Sequence, residues 1–155
     1  MTDPIDGWSA EAGIPEGEVG LLTRVVRLNM LVTRVLDDLV EPHDISVPDY
    51  LVLALMRRGR SSPVALCQVL GRTTGGMTLT LDRLAATGWV ERRPDPRDRR
   101  RIIVELTAAG RAKAAAVNQA LHDWEARLDL SPGRRAEIEL DLIAVTDVVV
   151  GGIQP

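Results

Sequence analysis

The sequence predicts a mainly α-helical fold that carries one small β-hairpin. Three observations lead there. Apolar residues recur at spacings of three and four along most of the chain, which is the helical period. Glycine or proline closes most of these runs where a helix would have to stop. One stretch instead has a period of two, Ile102, Val104 and Leu106, and it follows a charged segment that Pro94 and Pro96 keep out of regular structure.

The N-terminal residues 1–16 are rich in Gly, Pro, Asp and Ser with Trp8 as the one large apolar group, and they read as a flexible or draped arm. From about residue 17 to 41, Leu21, Val25, Leu28, Val32, Val35 and Leu39 mark a first helix, closed by Pro42. A helix of that length exceeds what a small core needs and calls for a partner. Ser46 is placed to cap a second helix, with Asp49 three residues on as the acid of a capping box, and Tyr50, Leu53, Ala54 and Met56 as its apolar face up to Gly59. Ser62 and Pro63 open a short third helix with Leu66, Val69 and Leu70 inward, stopped by Gly71. Thr73 caps a fourth, 74–87, whose buried stripe is Met77, Leu81 and Leu84 and whose stop is Gly88. Two short helices joined by a tight glycine-containing turn make a helix-turn-helix, and the hairpin behind them is its wing, with Trp89 packing at the start of the first strand. Thr107 caps an alanine-rich helix to about residue 128, and Ser131 with Pro132 starts a last one, apolar on more than one face and so expected to be buried between others.

Composition narrows the function. A chain of 155 residues is enough for one domain with a core, or for a small domain plus oligomerising helices. No apolar run approaches the roughly 18 residues of a membrane span, and the acidic start has neither a basic region nor an apolar one of the kind a secretion signal needs. A cytoplasmic protein with no membrane partner is expected. Cys67 is the single cysteine and His43 and His122 the only histidines, too few for a Cys/His metal cluster, so no metal and no cofactor are expected. Cys67 reads as a buried structural thiol, with redox sensing as the alternative. No nucleophile has a neighbouring base and no phosphate-binding glycine loop is present, which argues against an enzyme.

Charge is unevenly distributed. Between Arg57 and Lys113 there are thirteen basic and five acidic residues, a net +8, in a chain whose total is −3. Taken alone, the basic tip with Arg97, Arg99, Arg100 and Arg101 would be a solvated loop. Set behind a helix-turn-helix, it becomes a nucleic-acid face on an acidic body.

The order of helices, the segment LGRTTGGMTLTLDRLAATGWVERRPDPRDRR and the following LTAAG resemble the MarR family of winged helix-turn-helix regulators. The most specific part is the D-x-R ahead of a strand ending in Leu-Thr-x-x-Gly. The resemblance covers about residues 45–110 in sequence and the flanking helices in layout. It implies a winged helix-turn-helix plus a helical dimerisation region: an arm at 1–16, a dimerisation helix at 17–44, a DNA-binding domain at 45–106 and C-terminal dimerisation helices at 107–155. The family implies a homodimer on a pseudo-palindromic operator in double-stranded DNA, and many members let go when a small lipophilic or aromatic acid enters a cleft between dimerisation helices and wing domain. Transferred to this chain, Thr73, Thr74, Gly75, Gly76 and Thr78 fall at the DNA-contacting start of the recognition helix. Arg100 matches the wing arginine of the minor groove, Asp98 the acid that holds it, and Arg97, Arg99 and Arg101 become phosphate contacts. A ligand cleft would involve Arg27, Tyr50 and Trp124. Peroxide-sensing relatives carry their cysteine near the first helix, where this chain has none. Leu79 departs from the pattern, since many relatives have arginine there; it lies about 200° round the helix from Met77 and so points outward. The resulting expectation is a dimeric DNA-binding repressor with no enzymatic activity. The alternative is a winged-helix protein-interaction module that has lost DNA binding and uses Leu79 as an apolar contact.

Overall fold

The computed structural model describes residues 20–59, 62–96, 98 and 102–153. The predicted N-terminal arm, Trp8 included, lies outside them. Six α-helices and one two-stranded antiparallel sheet occur among the described residues: α1 (Leu21–Val40), α2 (Val47–Arg57), α3 (Pro63–Leu70), α4 (Thr74–Ala86), β1 (Val90–Pro94), β2 (Ile102–Leu106), α5 (Ala108–Glu125) and α6 (Pro132–Ile153). A 3-10 turn, Glu41–His43, follows α1, because Pro42 cannot donate the next helical hydrogen bond. No helix among the described residues is long and apolar enough to cross a membrane.

The chain divides into two compact units, Met1–Leu121 and His122–Pro155. The core lies in the first. Val52, Leu53, Leu66, Leu84, Val104, Ala114 and Val117 have no exposed surface, and Met77 and Leu81 nearly none. Each of the larger side chains contributes roughly 1.5–3 kcal/mol by leaving water. The stripe Met77, Leu81 and Leu84 is therefore buried as its spacing predicts, and Thr80 joins it at 1% exposure. One core expectation needs correction, and the strand's alternation needs a limit. Val69 is 52% exposed, because α3 is only eight residues long and turns a single face, that of Leu66, inward. Ile102 is 58% exposed, since it pairs with Pro94 at the far end of the hairpin, while Val104 and Leu106 nearer the base are buried.

The caps are where the residue types put them. Ser46 Oγ accepts from the Asp49 amide at 3.3 Å, Thr73 Oγ1 from Gly76 at 3.2 Å, Thr107 Oγ1 from Gly110 at 3.0 Å and Ser131 Oγ from Arg134 at 3.3 Å. Ser62 stands at the N-cap of α3, yet its side chain makes no capping bond. Asp49 also departs from the capping-box reading. Its amide is capped, but its carboxylate turns into the protein and is taken by Arg83.

Helices α1 and α6 remain poorly covered. On α1 only Val40 is buried, while Leu22, Val26, Met30 and Leu31 are more than half exposed. The expectation that the last helix is buried on several faces fails in the single chain. None of its described residues is buried, and Leu140, Leu142, Ile143, Val148 and Val150 are exposed, because apolar groups spread round a helix need neighbours on every side. Within the second unit, Arg135 Nη2 donates to the Glu125 carbonyl at 3.0 Å, and Arg134 pairs with Glu137 at 2.9 Å.

Candidate nucleic-acid interface

Helix α4 is anchored by one face and offers the other. Thr74, Gly75, Thr78 and Leu79 are exposed, and Gly76 is half-buried. A Cβ added at Gly75 would meet open space, whereas at Gly76 it would sit 3.3 Å from the capping Thr73 Oγ1. Neither glycine has positive φ, so backbone conformation does not demand them. At Gly75 no neighbour within the chain demands one either. Thr78 Oγ1 donates to the Thr74 carbonyl at 2.9 Å and Thr80 Oγ1 to the Gly76 carbonyl at 3.1 Å.

Most basic residues near this face are tied to the protein itself. Arg72 Nη1 donates to Thr80 Oγ1 at 3.1 Å, pinning the turn between α3 and α4 to the helix it precedes. Arg83 makes a two-point contact with Asp49, Nε to Oδ2 at 2.8 Å and Nη2 to Oδ1. The Asp49 carboxylate is 7% exposed and the Arg83 side chain 53%, so a buried anion is met by a cation at the surface. Hydrogen bonding to Asp49 holds Arg83 above the usual arginine range, with the Asp49 charge adding to it and desolvation opposing.

The wing repeats this pattern. Its register places Glu91 opposite Glu105, a repulsive pairing that Arg93 relieves by reaching Glu91 at 2.7 Å and Glu105 at 3.6 Å. Arg92 pairs with Asp82 at 2.7 Å, linking β1 to α4. At the tip, Asp98 is exposed, and Arg97, Arg99, Arg100 and Arg101 lie outside the described residues.

The base of the hairpin explains the Leu-Thr-x-x-Gly sequence. Thr107 Oγ1 donates to the Gly88 carbonyl at 2.7 Å and the Thr107 amide to the Trp89 carbonyl at 3.1 Å. A Cβ on Gly110 would lie 1.9 Å from that same Trp89 oxygen, so α5 can start beside β1 only with glycine there. Lys113, one turn on, lies 5.0 Å from the centre of the Trp89 ring and donates to the His43 carbonyl at 2.6 Å, tying the wing base to the end of α1. Trp89 is half-buried against the core, as its packing reading requires.

The residues assigned to a ligand cleft fall in different settings. Arg27 is half-buried on α1 in a shallow apolar depression with Val26, Met30 and Leu31. Tyr50 belongs to the core at 6% exposure, and Trp124 is half-buried in the second unit. A separate open groove of about 880 Å³ lies between the end of α2, the wing and the start of α5, lined by Met56, Arg57, Arg93, Val104, Leu106 and Arg111 among others. None of the three predicted ligand residues lines it. Cys67 is half-buried and packs against the core.

The sequence did not announce the contacts of Asp49 with Arg83, Arg72 with Thr80, Arg92 with Asp82, Arg93 with Glu91 and Glu105, or Lys113 with His43 and Trp89. Only Thr80 had a readable signal, since it lies three residues after Met77 and four before Leu84, on the buried stripe.

Residues 43–101 match the model of the MarR family. The multiple antibiotic resistance protein MarR of Salmonella typhimurium is 32% identical over 132 residues, 84% of this chain and 88% of that protein. The HTH-type transcriptional regulator PecS of Dickeya dadantii is 33% identical over 96 residues, 59% of this chain and 56% of PecS. Among solved structures, a mutant MarR from Escherichia coli complexed with operator DNA superposes with a TM-score of 0.69 at 33% identity, covering 83% of this chain and 96% of that one. A DNA complex of Staphylococcus aureus MepR gives 0.73 at 17% identity over 86% and 99%, a likeness of fold.

Proposed function

The chain belongs to the MarR family of transcriptional regulators, and on that premise we propose that it binds a pseudo-palindromic operator as a homodimer and acts in the cytoplasm as a repressor. The observation that carries the DNA-binding reading is the outward face of α4, Thr74, Gly75, Thr78 and Leu79, joined through Arg92 and Asp82 to a wing whose tip sequence is arginine-rich. Each protomer would set α4 in a major groove and the Arg100 side chain, oriented by Asp98, in the flanking minor groove, with Arg97 and Arg99 on phosphates and the two recognition helices about 34–36 Å apart. Thr73 takes the Gly76 amide, and the amides of Thr74 and Gly75 ahead of it at the start of α4 suit a phosphate oxygen.

Dimerisation through residues 17–44 and 107–155 is supported by the uncovered apolar surfaces of α1 and α6. Release by a small lipophilic or aromatic ligand rests on family behaviour alone, with Arg27, Tyr50 and Trp124 as the residues it would meet. A thermal-shift panel of aromatic acids, followed by release of bound DNA, tests it.

One observation favours a second reading, a protein-interaction module without DNA binding: Leu79, a large apolar side chain, is 68% exposed on the outward face of α4. A gel shift with excess sheared DNA at low salt separates the two. The regulator retards, and an interaction module does not.

A further inference from the structure

Apart from the exposed Thr74 hydroxyl at its first position, helix α4 has little left with which to read base edges by hydrogen bonds. Its one cation, Arg83, is held by Asp49, and its one exposed acid, Asp82, is held by Arg92. Arg72, at the turn before it, is spent on Thr80. The single hydroxyl proton of Thr78 goes to the Thr74 carbonyl, so this exposed side chain can offer DNA a methyl and lone pairs but no donor. A guanidinium fork for guanine would have to come from Arg83, whose Nε and Nη2 are already committed to Asp49 at the far end of the helix.

Beyond that hydroxyl, what the face offers is apolar. Leu79 is 68% exposed, does nothing for the core, and is the largest side chain among the outward residues of the first two turns, beside Gly75 and the Thr78 methyl. The feature of a major groove that such a surface can distinguish is the thymine C5-methyl group. Resting on the DNA-binding reading above, we propose that Leu79, with the Thr78 methyl, is the specificity-determining contact of the recognition helix, and that it selects thymine in each half-site by burying that methyl rather than by hydrogen bonding. Removing water from both apolar surfaces at once is what favours thymine over cytosine at that position.

The experiment begins with selection of tight duplexes from a random-sequence library by the full-length protein. Thymines of the selected half-sites are then replaced one at a time by deoxyuridine, which deletes the methyl and leaves every hydrogen-bonding edge intact. For the wild type, one or two positions should lose about fourfold in affinity per methyl, the equivalent of about 0.8 kcal/mol. Leu79→Ala should keep its thermal transition, because the side chain is outside the core, and should lose the dependence on the methyl. Thr78→Ser, which retains the hydroxyl and deletes only its methyl, should lose part of it. Wild-type binding that is indifferent to deoxyuridine, or a Leu79→Ala protein with undiminished methyl dependence, overturns the proposal while leaving DNA binding standing. Failure to retain any duplex overturns both.

Discussion

Asp49 and Arg83 lie 34 residues apart in sequence and meet through two parallel hydrogen bonds that join the first turn of α2 to the last turn of α4. The two ends of the pair differ in solvation, and that makes its energetics asymmetric. Arg83→Ala strands a buried carboxylate and should cost about 2–4 kcal/mol. Asp49→Asn leaves a guanidinium that water already reaches and should cost nearer 1 kcal/mol. Urea melts of the two variants check the order, and equal losses would show that the carboxylate is better solvated than its burial indicates. The raised pKa of Arg83 means that its share of stability is fully present below the ordinary arginine range and is lost only as pH rises above it, so this side of the pair adds no pH dependence under assay conditions.

Two glycines should respond in opposite ways to the same substitution. Gly110→Ala drives a methyl into the Trp89 carbonyl 1.9 Å away and should destabilise by about 2–4 kcal/mol or misplace the wing. Gly75→Ala meets open space and should stabilise by about 0.4–1 kcal/mol. If α4 approaches DNA at Gly75, that more stable protein should nonetheless bind operator about tenfold more weakly, a loss of about 1.4 kcal/mol. Thermal melts and fluorescence anisotropy on one sample test both halves, and unimpaired binding would place Gly75 away from DNA.

The wing tip carries the electrostatic prediction. Arg100→Ala should weaken operator binding strongly while the oligomeric state and melting curve stay unchanged, since Arg100 belongs to a charged tip rather than the core sequence. Affinity should also fall steeply with salt, by a log–log slope of about −0.9 for each phosphate neutralised. A flat salt titration would count against the whole arrangement: Arg83, Arg92 and Arg93 are partly neutralised by Asp49, Asp82 and Glu91, whereas the four tip arginines stand in a segment with a net positive charge.

Assembly can be probed on exposed residues without disturbing the core. Met30 on α1 and Ile143 on α6 are 68% and 58% exposed. Met30→Glu combined with Ile143→Asp places unpaired charge on both apolar faces and should shift sedimentation from dimer to monomer at concentrations where the wild type is paired. An unchanged dimer would remove these faces from the interface.

Helix ends, the buried stripe of α4, the hairpin and the basic middle segment were legible in the sequence because each depends on local rules: a hydroxyl before an amide, a 3.6-residue period, a glycine with positive φ at 59, 71 or 88. The same rules placed Leu79 on the outside. They could not tell which arginines are spent. Arg72, Arg83, Arg92 and Arg93 look alike in sequence, yet only folding brings Thr80, Asp49, Asp82 and the facing pair Glu91 and Glu105 within reach of them. Nor does spacing reveal that Gly110 is required by the Trp89 carbonyl, a contact between residues 21 positions apart that exists only once the hairpin has closed. The character of each residue is a local property and can be read along the chain. Its partner is decided by distances in space, and tertiary structure alone supplies those.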